Sequence, residues 1–201
     1  MDGRDSARLR QMKSDVSAAG EFPIEELRPV LIPSSIFEGG VWVGPYHHFT
    51  NLPVSLTWAY LRPQQTMLYL DHETVLRLEQ RGVDWRSSAL LEMEREVGDH
   101  PWTHEWKNQS GSLGAVALMH EDGIGPSRLI CPSHYNAHFP AGFSFYVPER
   151  SCAILISKDA DSGLVEKIKS VVEACNSSAG VPMGVLAYSS NELANSLKNI
   201  K

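Results

Sequence analysis

The strict alternation in "PVSLTWAYL" constrains this chain more than any other stretch. Val54, Leu56, Trp58 and Tyr60 are apolar or aromatic and are separated by Ser55, Thr57 and Ala59, the two-residue period of a strand with one face in a core. A second apolar run, "TMLYL" at 66–70, follows across Arg62-Pro63-Gln64-Gln65, and a connection that short brings two strands together antiparallel. The chain therefore builds sheet from hairpins rather than from long crossovers.

The same device recurs near the other end. "FSFYV" at 143–147 and "CAILIS" at 152–157 flank Pro148-Glu149-Arg150-Ser151, a turn composition that begins with proline. "LGAVALM" at 113–119 reads as a buried strand ending in the turn-forming "HEDGIGP", and "MGVLAY" at 183–188 as a last strand.

Helices fill the gaps. Asp71 stands as an N-cap before "HETVLRLEQR", with Gly82 where a left-handed C-terminal residue belongs. Asp84 opens a second helix, whose Leu90, Leu91, Met93 and Val97 form an apolar face up to Gly98. Residues 99–112 read as loop or a short helix. "DSGLVEKIKSVVEAC" places Leu164, Ile168, Val171, Val172 and Cys175 on one face behind a cap at Asp161 or Ser162, and "NELANSLKNI" forms a short final helix. Runs of strands separated by helices predict an α+β fold, a mainly antiparallel sheet packed against two or more helices.

A chain of 201 residues, 42% hydrophobic and 21% charged, suits one domain. Residues 1–21 are polar and form a mobile leader, and 22–201 form the single α+β domain. The leader lacks the apolar core of a secretory signal, and no apolar run reaches the roughly 18 to 20 residues of a membrane helix. Eighteen basic residues against 24 acidic ones leave a net charge of -6, so neither nucleic acid nor a membrane is expected as a partner. Cys131, Cys152 and Cys175 are odd in number and widely spaced, which suits reduced thiols in the cytoplasm. The sequons at Asn108 and Asn176 then carry no glycan.

"CPSHYNAHF" is the one stretch with the residue types of a reactive site. Cys131, His134 and His138 could give Zn²⁺ a thiolate and two imidazoles while leaving a fourth position for water. Alternatively, Cys131 could act as a nucleophile with either histidine as base. Pro132 between the cysteine and the histidines opposes a continuous helix there. His100 and His104 repeat the four-residue spacing beside Glu105 and could complete such a site, but H-E-x-x-H is absent. The adjacent imidazoles of "GPYHHF" would point to opposite sides of an extended segment. "KDADSG" lacks the twelfth-position glutamate of a calcium loop, having Ser170 there, and reads as a cap. "EDGIGP" lacks the Gly-Lys-Ser/Thr of a phosphate loop and reads as a turn.

Trp85, Trp102 and Trp106 lie in or near polar stretches; they either cover the sheet, the commoner role of such rings, or stay exposed, and exposed aromatics favour protein interfaces. Trp102 and Trp106 would share a face on a helix. The expectation from residues alone is a non-catalytic protein-binding module with no cofactor, its partner another protein or a second copy. The alternative is a metal-dependent or thiol-dependent hydrolase at Cys131, His134 and His138, with zinc as its metal.

Over residues 50–193, the order of "MLYLDHETVLRLEQRGVDWRSSALLEME", "PSRLI", "AGFSFYVPERSCAILIS", "SGLVEKIKSVVE" and "GVPMGVLAYSSNEL" resembles domain-of-unknown-function family 1444 of bacterial proteins. Val147, Pro148, Arg150 and the "AILIS" strand leading to Gly163-Leu164 are its most specific part. The resemblance implies a cytoplasmic bacterial α+β protein and supplies no activity or cofactor. Arg150 joins Trp102 and Trp106 as a candidate binding residue.

Overall fold

The computed structural model describes residues 23–40, 42–62 and 66–198. The expected leader, the connection 63–65 and the last three residues lie outside them.

The alternating stretch forms β3 (Val54–Arg62), the centre of a first antiparallel sheet. On one side it pairs with β1 (Leu27–Pro33) from Leu27↔Tyr60 to Pro33↔Val54. On the other side β2 (Tyr46–His48) pairs with its first half and β4 (Thr66–Tyr69) with its second. The hairpin expected across 62–65 is present as Arg62↔Thr66. β3 is buried on both faces rather than on the one its alternation suggested, with Ser55, Thr57 and Ala59 as enclosed as Leu56. β1, also buried throughout, left no alternation to read because "LRPVLIP" is apolar at nearly every position. Pro29 and Pro33 are tolerated there because β1 is an edge strand.

Five more strands form a second antiparallel sheet in the order β5-β6-β8-β7-β9: β5 His104–Lys107, β6 Leu113–Leu118, β7 Phe143–Glu149, β8 Cys152–Ser157 and β9 Tyr188–Ser189. The architecture is α+β as expected, with the strands divided between two sheets rather than gathered in one. β5 replaces the loop or helix expected over 99–112. It is an edge strand with mostly exposed side chains, so it carries no apolar period. The last strand is shorter than "MGVLAY" suggested: Tyr188 and Ser189 pair with β7, and before them the segment meets β7 through an isolated bridge, Pro182↔Glu149, with Met183 N donating to Pro148 O. Before β9, Gly184 takes φ 108°, and Val185 and Leu186 turn to solvent instead of into the core.

Both aspartate caps are present: Thr74 N donates to Asp71 at the start of α1 (His72–Gln80), and Ser87 N to Asp84 at the start of α2 (Trp85–Asp99). Gly82 takes the expected left-handed φ of 70°. α2 buries Trp85, Ala89, Met93 and Val97, spaced four apart, whereas Leu91 is 65% exposed. The helix also continues through Gly98 to Asp99. α3 (Pro132–His138) begins at Pro132, where the missing N–H costs nothing, so this proline starts a helix instead of breaking one.

α4 (Ser162–Ser178) lies on one face of the second sheet, its Leu164, Ile168 and Val172 against Ala115, Ala117, Tyr146, Cys152, Ile154 and Ile156. Its cap, Asp161, also accepts a hydrogen bond from Gln109 N, and these bonds hold its carboxyl below the usual carboxylate range. "KDADSG" is thus a cap and turn. The sheet's other face joins β1, β3, α2 and the 3₁₀ turn Gly125–Ile130 in the larger core. α5 (Ser190–Leu197) closes the fold with a Ser189/Glu192 capping box.

A chain of charges runs through this larger core. Arg28 on β1 donates to Glu96 on α2 at 2.9 and 2.7 Å, and Arg128 in the 3₁₀ turn pairs with Asp122 at 2.7 Å and Glu96 at 3.7 Å. Ser127, one residue earlier, accepts from Leu31 N of β1. These bonds hold the two sheets in register through the turn.

Candidate interaction surface

The residues of "CPSHYNAHF" do not come together. Cys131, Tyr135 and Phe139, four apart, face the core, while His134 is half-buried and His138 exposed. His134 lies against Gly98 of α2, and His138 stands edge-on to Trp102 with ring centroids 4.8 Å apart. Burial pushes the Cys131 thiol up to about 12, with Glu94 adding to the shift. A thiol so protonated is a poor nucleophile and a poor ligand at neutral pH. His100 and His104 are not helical neighbours: His104 is on β5 beside Thr103, and the carbonyl of His100 accepts from His120. Among the described residues no three His, Cys, Asp or Glu side chains are grouped to hold a metal.

Trp102 and Trp106 do not share a face either. They are on no helix, and Trp102 packs against the larger core while Trp106 packs on the α4 side of the sheet. Trp85 is buried in the core against Trp58. Arg150 is exposed in the β7–β8 turn and reaches across to the first sheet, its Nη2 3.6 Å from the Met67 sulfur. Its charge also opposes the burial that raises the Tyr69 phenol pKa.

Arg150 thereby flanks a group of rings that reasoning from periodicity missed. Ser34–Phe37 forms a 3₁₀ turn that directs Phe37 onto the face of β2 carrying Tyr46 and His48. Phe37 and Tyr46 stack with centroids 4.4 Å apart and planes at 30°. Phe37 meets Trp42 at 4.9 Å, and Trp42 meets Tyr69 edge-on at 4.8 Å. Tyr46 and His48 lie 4.9 Å apart on one side of β2, whereas His47 points to the other side, against Phe49. The opposite orientation of the two imidazoles is the one extended backbone requires.

The backbone beneath is fixed. Thr57 Oγ1 donates to Pro45 O at 2.9 Å, Ser55 Oγ meets His48 Nδ1 at 2.6 Å, and His72 N donates to Val43 O at 3.1 Å. Gly44 lies so close to β4's end that a Cβ there would be 1.9 Å from the Leu70 oxygen. A rigid base therefore presents Tyr46, 47% exposed, with Ile36 and Val43 also open to water. Among the described residues the Trp42 indole N–H, itself buried, has no hydrogen-bond partner.

The row Tyr46, Phe37, Trp42, Tyr69 ends at the Arg150 guanidinium. Rings held in place lose little entropy on contact, and a cation at the rim adds direction. The signal in the sequence was aromatic density in the non-periodic "IFEGGVWVGPYHHF". In comparisons with known proteins, no family model, no curated protein and no solved structure matches this chain.

Proposed function

We propose that the chain is a non-catalytic interaction module that binds another protein through the aromatic row from Tyr46 to Tyr69, with Arg150 at its edge. The observation that carries this reading is the pre-set row of rings over a hydrogen-bonded strand, with Tyr46 exposed, Trp42 and Tyr69 half-buried, and Phe37 buried as their support. Interfaces are enriched in tyrosine, tryptophan and arginine for the same physical reasons. The matching partner surface is apolar, with a carboxylate positioned for Arg150. The net charge of -6 disfavours a phosphate backbone in that role. Three unpaired cysteines fit a reducing compartment, and we place the protein in the cytoplasm, of a bacterium if the likeness to family 1444 holds. No helix among the described residues is long and apolar enough to cross a membrane.

Site-specific photo-crosslinking tests the reading. A benzophenone side chain at position 46, expressed in the source cell, should give a discrete adduct that the additional change Trp42→Ala abolishes. The same probe at Leu76, more open still on α1, should give none. Equal labelling from both positions, or none from 46, would remove the proposal.

A further inference from the structure

We propose that Cys152 and Cys175 are an oxidant-responsive thiol pair, which a hydroperoxide converts to an intramolecular disulfide between β8 and the last turns of α4.

The topology brings the two together. β8 runs from Cys152 to Ser157 and α4 returns over it from Ser162. At about 3.3 Å per strand residue and 1.5 Å per helix residue, the walk back from Leu164 to Cys175 roughly matches the length of β8. Cys175 follows Ile168 by two helical turns and so faces the sheet as Ile168 does. On the strand, Cys152 alternates with Ala153 and shares its face with Ile154 and Ile156. Cys175 accordingly packs on the cluster that contains Cys152, near enough to bear on the titration of the Cys152 thiol. They differ in access: Cys152 is fully buried, whereas Cys175 is half-exposed. Burial, then the neighbouring Cys175, raises the Cys152 pKa, so Cys152, like Cys131, is a poor nucleophile toward a molecule in solution. It reacts only as the resolving partner, where its fixed position beside Cys175 offsets its small thiolate fraction.

A partly accessible thiol beside a buried one is the arrangement of an attacking and a resolving cysteine. The Cys175 thiolate attacks one peroxide oxygen, the O–O bond breaks, and the departing oxygen leaves as hydroxide or alkoxide. Cys175 is then a sulfenic acid. The Cys152 sulfur attacks the Cys175 sulfur, the S–S bond forms, the S–O bond breaks, and the Cys152 proton departs with that oxygen as water. Two thiols lose two electrons and the hydroperoxide gains them. The bond would anchor the end of α4, from which Asn176 Oδ1 accepts the Gly184 N–H at 2.8 Å and holds the exposed 180–187 segment. Cys131, buried in the other core, is an internal control.

The test treats the reduced full chain with hydrogen peroxide, alkylates remaining thiols after unfolding, and maps peptides by mass. The proposal expects a linked Cys152–Cys175 peptide pair lighter by two hydrogens, reversal by dithiothreitol, and Cys131 alkylated. Cys152→Ala should stop at a Cys175 sulfenic acid that dimedone traps. Sulfinic acid at Cys175 with Cys152 still free, cross-linking between molecules only, or oxidation no faster than at Cys131 would overturn it. Wild-type mapping decides the matter even if Cys152→Ala fails to fold.

Discussion

Arg128→Met is expected to lower the unfolding free energy by about 3 kcal/mol, the low end of the cost of removing one partner from a buried ion pair. The Arg128 side chain is 5% exposed and meets Asp122, 28% exposed, and Glu96, 30% exposed. Methionine fills similar volume, so the loss is chiefly electrostatic. Two carboxylates keep their burial and lose a cation, and their partial access to water holds the effect at the low end. Arg95→Met, on the same network but 66% exposed, should cost about 1 kcal/mol or less. Urea unfolding of both variants checks the ratio.

His120 reports on the same place. Burial and then the Arg128 charge push its pKa below the ordinary histidine value of about 6.5. A histidine whose folded pKa is depressed contributes stability that is present above the unfolded pKa and lost as pH falls through the folded one. Stability should therefore fall on acidification below about 6.5. Arg128→Met should move the His120 titration upward, read by NMR.

Gly125→Ala should be the most damaging of the glycine substitutions at the junction of turn and sheet. An added Cβ would be 2.1 Å from the Leu118 oxygen and 2.7 Å from the Ser151 oxygen. Both are backbone atoms, one on β6 and the other in the β7–β8 turn, and neither swings aside as a side chain would. Overpacking typically costs about 1 to 3 kcal/mol and occasionally more, and a double backbone clash belongs at or above the top of that range. Gly180→Ala, where a Cβ meets nothing within 4 Å, should change stability by no more than about 0.5 kcal/mol. Parallel thermal melts decide it: similar losses in both would show that the turn at Gly125 is not packed as described.

Much of the fold was legible wherever one face of an element is wet. The caps at Asp71, Asp84 and Asp161 and the α4 stripe report a boundary between core and water, whereas the alternation of β3 separates large apolar side chains from small ones on two buried faces. β1 is apolar at nearly every position and β5 is mostly exposed, so neither carries a period. "MGVLAY" has strand composition but little to pair with, and composition alone cannot supply a neighbour. In the site, Cys131, His134 and His138 shared a segment without sharing a direction, because α3 turns the first inward and the last outward. The aromatic row is the reverse case. Phe37, Trp42 and Tyr46 crowd one stretch without a period, and Tyr69 joins them through the β2 and β4 pairings on one side of β3, contacts that spacing does not encode. Arg150 was singled out by a resemblance of words and lies beside that row for a tertiary reason, the reach of the β7–β8 turn to Met67.

The most direct test of the interaction surface is the affinity of the purified chain for the protein cross-linked at position 46, measured by calorimetry for Tyr46→Ala, Trp42→Ala and Trp106→Ala. Truncating a hot-spot ring costs about 2 kcal/mol or more, roughly 30-fold in Kd. The account predicts at least tenfold weakening, or about 1.4 kcal/mol, from Tyr46→Ala with an unchanged melting temperature. It predicts a similar or larger loss for Trp42→Ala, and little effect for Trp106→Ala, across the second sheet. An affinity indifferent to Tyr46 and Trp42 but lost with Trp106 would contradict it.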